Sequence, residues 1–158
     1  TPETGKMLTS LTYNDGTNTY TIGTNSTDIK RQANDYVITM PNKNVTINVT
    51  FETVVAKIGT TEYPSLDDAF SAVGDGETID IFADTDESAT NHTPAYWNLD
   101  FVIDLHGHDV KFGDISKSGG DLTIKSTETG GKFLCSSLYD NNGNITIDNV
   151  TMTCTGSI

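Results

Sequence analysis

Four short apolar segments recur between Thr78 and Cys154: Ile79-Asp80-Ile81, Val102-Ile103-Asp104-Leu105, Leu122-Thr123-Ile124 and Ile145-Thr146-Ile147. With Ile81, Ile103, Ile124 and Ile147 as markers, the steps are 22, 21 and 23 residues. A unit this short, with one strand-like core, cannot bury its own apolar face. Successive units must stack, and the stacked form is a solenoid. A second strand-like piece follows three of the cores. Phe101-Val102-Ile103-Asp104-Leu105 is expected to pair with Asp109-Val110-Lys111-Phe112 across His106-Gly107-His108. Lys132-Phe133-Leu134-Cys135 and Val150-Thr151-Met152-Thr153-Cys154 follow the next two. Side chains alternate in a strand. Leu122 and Ile124, Phe133 and Cys135, Ile145 and Ile147, and Val150, Met152 and Cys154 should therefore face inward and stack in columns. About three to four coils fit, and more are expected beyond Ile158.

A helix precedes the ladder. In Pro64–Val73, Leu66, Ala69, Phe70 and Val73 fall at i, i+3, i+4 and i+7, one apolar stripe. Ser65 is placed to cap it, Asp67 and Asp68 sit at the positive end of its dipole, and Gly74-Asp75-Gly76 stops it. The first coil of a solenoid exposes an apolar end, and this helix is expected to cover it.

Residues 1–53 read as a separate small antiparallel β module. Met7–Tyr13 and Thr19–Ile22 flank the turn Asn14-Asp15-Gly16, Tyr36–Met40 ends at Pro41, and Val45–Phe51 alternates without fault. The polar run 28–34 reads as a loop or short helical turn. Val45, Ile47, Val49 and Phe51 should form a buried face, with Thr46, Asn48 and Thr50 in water.

Two resemblances follow from these residues. Gly5–Thr12, Tyr36–Pro41 and Asn44–Phe51 resemble strands of divergent internalin-type B repeats, without a further upstream strand that such repeats carry. Ile58–Phe70, Gly74–Ile79 and Ile103–His108 are similar to the opening of right-handed parallel β-helix domains of the pectate-lyase-like superfamily, common in surface proteins of gut Firmicutes. Together they imply an all-β chain: a short right-handed parallel β-helix with an N-terminal capping helix over 54–158, preceded by the B-repeat-like module. They imply no particular chemistry, because this fold hosts enzymes, adhesins and inert stalks.

A formal net charge of −13 over 158 residues argues against nucleic acid or anionic lipid as a partner. No window is long and apolar enough to insert in a membrane. Two cysteines, Cys135 and Cys154, are too few for a disulfide-stapled miniature fold. They lie about one coil apart, so they form either two buried thiols in a column or a bridge, the latter if their Cα atoms come within about 7 Å.

Three constellations are candidate sites. The long segment 83–99 carries His92, Tyr96 and Trp97, which could stack on a sugar or pack beneath the loop. Asp104, His106 and His108 alternate, and on a continued strand they would share one face as metal ligands; a corner at Gly107 would break that alternation. Asp104, Asp121 and Asp148, with Lys125, could form a carboxylate stack of the sort polysaccharide cleavage needs. Asp140–Asn144 reads as a turn, because it lacks the spacing of a calcium loop. No cofactor is implied. The expected class is a non-catalytic structural or binding fragment at the surface or wall of a Gram-positive cell. Its expected partners are host or dietary glycans or another surface protein. The alternatives are the opening part of a polysaccharide-active β-helix enzyme, or a carbohydrate-binding module built on 83–99.

Overall fold

The computed structural model describes residues 3–21, 29–32, 35–38, 42–91 and 98–156, with side chains described for 3–21, 42–91 and 98–156. The chain divides into two compact units, Thr1–Thr53 and Val54–Ile158.

In the first unit, β1 (Lys6–Asn14), β2 (Thr19–Thr21), β3 (Ile29–Gln32), β4 (Asp35–Ile38) and β5 (Thr46–Thr53) form a three-stranded sheet, order β2-β1-β5, and a separate β3-β4 ladder, all antiparallel. A bulge between Leu8 and Ser10 explains why Leu8, Leu11 and Tyr13 can share a face despite their uneven spacing. They lie opposite Phe51, Val49 and Ile47, which are two apart throughout. The turn is built by Asp15, whose Oδ1 accepts the N–H groups of Thr17 and Asn18 at 2.8 Å each.

Two expectations for this unit are corrected. Part of the run 28–34 is strand β3, because pairing with β4 satisfies its backbone whatever its side-chain polarity. The apolar face of β5 is not buried: Ile47, Val49 and Phe51 are each close to half exposed. Alternation shows which face of a strand is apolar, not whether anything covers it.

The second unit is a parallel β-solenoid. Its strands are β6 (Ala56–Ile58), β7 (Thr61–Tyr63), β8 (Glu77–Ile81), β9 (Thr85–Glu87), β10 (Phe101–Asp104), β11 (Asp109–Lys117), β12 (Leu122–Lys125), β13 (Lys132–Asp140), β14 (Ile145–Asp148) and β15 (Thr151–Cys154). One sheet has the order β14-β12-β10-β8-β6-β7, the other β15-β13-β11-β9. Rungs pair in parallel, except that β6 is antiparallel to both β7 and β8. β10 and β11 lie in different sheets, so the expected pairing across His106-Gly107-His108 is replaced by a corner between two faces of one coil. Part of the segment 83–99 is strand β9, the first rung of the second sheet.

Ile58, Ile79, Ile103, Ile124 and Ile147 are register partners in one column. The partner of Ile103 is thus Ile79 and not Ile81, which pairs with Ala56. Ile79, Ile103 and Ile124 have no solvent exposure, and each contributes about 1.5–3 kcal/mol by burial. On the other sheet Val110, Phe133 and Met152 form a column, and Phe112, Cys135 and Cys154 another. Within β11 the inward parity changes at Gly113, where a Cβ would lie 2.0 Å from the Thr90 carbonyl oxygen. Ile115 and Lys117 then face in, stacked on Leu138 and Asp140.

Helix α1 (Leu66–Ala72) closes the first rung. Ser65 caps it through a hydrogen bond from the Asp68 N–H at 3.0 Å. Phe70 packs edge-on against Phe112 and Phe101, with ring centroids at 5.1 and 6.3 Å. A second cap comes from the solenoid: Glu87 accepts the N–H groups of Leu66 and Asp67 at 2.7 and 2.9 Å. Glu87 shares a column with Phe112, so an inward carboxylate ends that column and receives the orphan donors of the helix. Among the described residues no helix is long and apolar enough to cross a membrane.

Candidate functional site at the His106 corner

Strand β10 ends at Asp104, and the chain turns through Leu105–His108. The His108 N–H donates to the Leu105 carbonyl at 2.8 Å, and His106 and Gly107 have φ of 45° and 81°. Positive φ at both central residues is the geometry of a type I′ turn, where a non-glycine residue such as His106 is uncommon. The turn separates the two histidines. His106 Nε2 lies 2.9 Å from Asp80 Oδ1, whereas His108 Nδ1 lies 3.1 Å from Asp84 Oδ1. Of the residues expected as metal ligands, the structure groups Asp104 and His106 and replaces His108 with Asp80. His92, Tyr96 and Trp97 lie outside the described residues.

Asp104 is the anchor of the corner. It is 2% exposed, and its Oδ1 accepts from the His106 N–H at 3.2 Å, the Thr127 N–H at 3.0 Å and the Thr127 hydroxyl at 3.2 Å. Its Oδ2 faces Lys125 Nζ at 3.4 Å. Burial alone would raise the carboxyl pKa. The N–H groups of Thr127 and His106, the charge His106 can carry and the Thr127 hydroxyl outweigh burial, and the net shift is downward. Lys57, Asp80, Asp104, Lys125 and Asp148 form the register column outside the isoleucines. Asp121 does not join it. It sits at the opposite end of its strand, in a second ladder where the carboxylates of Asp75, Asp100 and Asp121 accept the N–H groups of Asp100, Asp121 and Asn144.

His106 links these groups. With Nε2–H donated to Asp80, its Nδ1 accepts the Thr127 hydroxyl at 3.0 Å. With both nitrogens protonated, Nδ1–H donates to that hydroxyl, which then turns its own proton toward Asp104. The two ring nitrogens are aimed at different partners, so the three groups form a hydrogen-bonded relay across one corner. Beside it Phe82, 49% exposed, lies with its ring centroid 6.0 Å from that of His106 and with Lys57 Nζ 4.9 Å from its own centroid. The corner thus presents an aromatic surface, the Asp80 carboxylate, an imidazole and two ammonium groups, with the Asp104 carboxylate buried behind them. Asp80 was hidden in the sequence, because it enters through rung register and not through local spacing. Phe82 had only its position after β8 to mark it.

Compared with family models, characterised proteins and solved structures, the chain matches none of them.

Proposed function

We propose that this chain is a non-catalytic structural and binding segment of an extracellular surface protein. In this reading it is a β-helix of the pectate-lyase-like kind behind a B-repeat-like spacer, on a Gram-positive cell of the Firmicutes. The observation that carries this reading is the Cys135–Cys154 disulfide. The two cysteines are register partners on adjacent rungs with Cα atoms 4.9 Å apart. Such bridges persist in oxidising compartments and are rare where thiols are kept reduced. A bridge between rungs strengthens a rod without serving any reaction.

The test uses the cells that make the protein. A membrane-impermeant amine label should reach the chain on intact cells, and alkylation at lysis should leave Cys135 and Cys154 unmodified until a reductant is added. Labelling only after lysis, or full alkylation without reductant, would overturn the extracellular assignment. Release of new sugar ends from host or pectin-like glycans by the purified chain would overturn the non-catalytic one.

A second reading is favoured by the His106 corner: recognition of a glycan, or the opening part of a polysaccharide-active enzyme, with Phe82 as the stacking surface and Asp80, Lys125 and His106 as polar contacts. Glycan-array binding that Phe82→Ala abolishes would select it, and binding unchanged by Phe82→Ala would discard it.

A further inference from the structure

The turn that joins β13 to β14 carries the chain's one Asn-Gly pair, Asn142-Gly143. The stack holds its two members differently. A Cβ on Gly143 would overlap the Gly120 carbonyl oxygen of the preceding coil and lie 2.6 Å from Asp140 Oδ2, so the backbone there leaves no room for a side chain. Asn142 is exposed. Its N–H donates to Asp140 Oδ1 at 3.3 Å. Its side chain makes one hydrogen bond among the described residues, from Nδ2 to the Ser118 carbonyl at 3.4 Å, beyond the usual length of such a bond. Asparagine is a thermally labile residue. A loosely held side-chain amide in water, followed by the least hindered of backbone nitrogens, is the arrangement in which that nitrogen can close on Cγ. The two Asp-Gly pairs differ from it. Lys43 and the Asn18 and Thr17 N–H groups hold Asp15 ionised, with a pKa of about 2. Asp75 Oδ1 accepts the Asp100 N–H at 2.9 Å. A carboxylate is a poorer electrophile than the neutral amide of Asn142.

We infer that Asn142 is a self-modification site whose conversion to isoaspartate loosens β14 from the stack as the protein ages. The Gly143 nitrogen attacks Asn142 Cγ and gives its proton to solvent. The Cγ–Nδ2 bond breaks, and Nδ2 takes up a proton and leaves as ammonia. Water, the one co-reactant, then opens the five-membered succinimide. Opening at Cγ gives aspartate, and opening at the main-chain carbonyl gives isoaspartate. Isoaspartate routes the main chain through Cβ and Cγ, one methylene longer, in a turn where Gly143 already abuts Gly120. The next residue seats β14 on β12. The Asn144 N–H and Nδ2 both donate to Asp121 Oδ1, at 3.0 and 2.9 Å, and the Asn144 carbonyl accepts the Leu122 N–H at 2.8 Å. The added length pulls Asn144 out of line with these partners. The new carboxylate also shares its turn with Asp140, whose buried Oδ2 has no hydrogen-bond partner among the described residues. β15 stays tied to β13 through Cys135–Cys154, so the change is confined to β14. This modification goes beyond the structural and binding role and does not depend on where the protein resides.

The test incubates the full chain, disulfide intact, at mildly alkaline pH. Released ammonia is assayed, and peptides are fragmented by electron transfer, which separates aspartate from isoaspartate. Asn142 is expected to convert before every other asparagine, mostly to isoaspartate, and Asn142→Gln should lose that ammonia release. Hydrogen exchange of the aged chain should be faster over 144–148 and unchanged over 151–154. Conversion of Asn142 in urea but not in the folded chain overturns the proposal, because the turn then protects the pair. So does another asparagine that converts first. Both results are read on the wild type, so they decide the matter even if the variant does not fold. Unchanged exchange over 144–148 after conversion overturns the loosening of β14.

Discussion

Removing the Asp104 carboxylate isolates what the corner contributes to the solenoid. All three hydrogen bonds converge on Oδ1, so Asp104→Asn keeps an acceptor where they meet and loses only the charge. Its new amide N–H groups face Lys125, whose side chain is 36% exposed and can swing into water. Asp104→Ala removes the acceptor altogether. Hydrogen bonds to a charged group are worth about 1.5–3 kcal/mol each in isolation. Three that share one oxygen do not add, and the exposed Thr127 recovers water on its freed groups. We expect a loss of about 3 kcal/mol for alanine and about 1 kcal/mol for asparagine.

The pH dependence of that loss separates charge from packing. The folded carboxyl has a pKa below its ordinary 3.8, so folding favours the ionised form. The charge contribution is complete above the unfolded value and disappears as pH falls through the folded one. The gap between wild type and Asp104→Asn should therefore be full at neutral pH and close as pH falls below 3.8. Urea unfolding of the three proteins, followed by circular dichroism and by hydrogen exchange over 101–127, measures both effects. An alanine variant as stable as the asparagine variant would refute the hydrogen-bond account. A gap unchanged at acid pH would refute the charge account.

Replacing both Cys135 and Cys154 with serine should cost about 3 kcal/mol against the oxidised wild type, the chain-entropy value for a loop near 19 residues, read from the urea midpoint, with the reduced wild type as the control that should match the variant. Glu87→Ala should cost about 1–2 kcal/mol by releasing the Leu66 and Asp67 N–H groups, with faster exchange of those amides. In the first unit, the Lys43 hydrogen bond and the Asn18 and Thr17 N–H groups hold the Asp15 pKa at about 2. Its stabilising charge is present above the unfolded value and lost as pH falls from 3.8 toward 2. Lys43→Met should move the Asp15 carboxyl titration upward when followed by NMR.

The rungs were legible because their information is local and repeated. Leu122 and Ile124, or Phe133 and Cys135, reveal their faces by alternation alone. Helix α1 was legible for the same reason, through its stripe and Ser65. Register was legible from β10 onward but not at the first rung: choosing Ile81 instead of Ile79 as the first marker shifts every partner of β8 by two residues. That choice hides Asp80 behind His106, because the two meet only when Asp80 stacks on Asp104. The parity change at Gly113 was hidden too. It depends on the close approach of the Thr90 carbonyl from the neighbouring coil, and without it Lys117 has no reason to face inward. The disulfide stood between these cases. The spacing of Cys135 and Cys154 suggested adjacent rungs, but only register placed their Cα atoms opposite one another.

The polar residues inside the stack occur where columns begin or where two rungs must be tied. A parallel ladder is open at its first rung, where unpaired backbone groups can template another strand. Each sheet handles its first rung differently. One ends in the antiparallel hairpin β6–β7, which reverses the strand direction that a further parallel rung would need. The other begins at the three-residue β9, whose inward positions are Thr85 and Glu87 where the next rung has Val110 and Phe112. Thr85 donates its hydroxyl to Glu87, and Glu87 receives the helix N-terminus. An apolar residue in place of Glu87 would leave two helix N–H groups unmatched over an apolar column, so the same carboxylate ends the stack and docks its cover. An expected consequence is that Glu87→Leu, which fills the column but cannot accept a hydrogen bond, loosens helix α1 as much as Glu87→Ala does. Hydrogen exchange over 66–72 would show it, and protection restored by leucine would mean that packing, not capping, holds the helix in place.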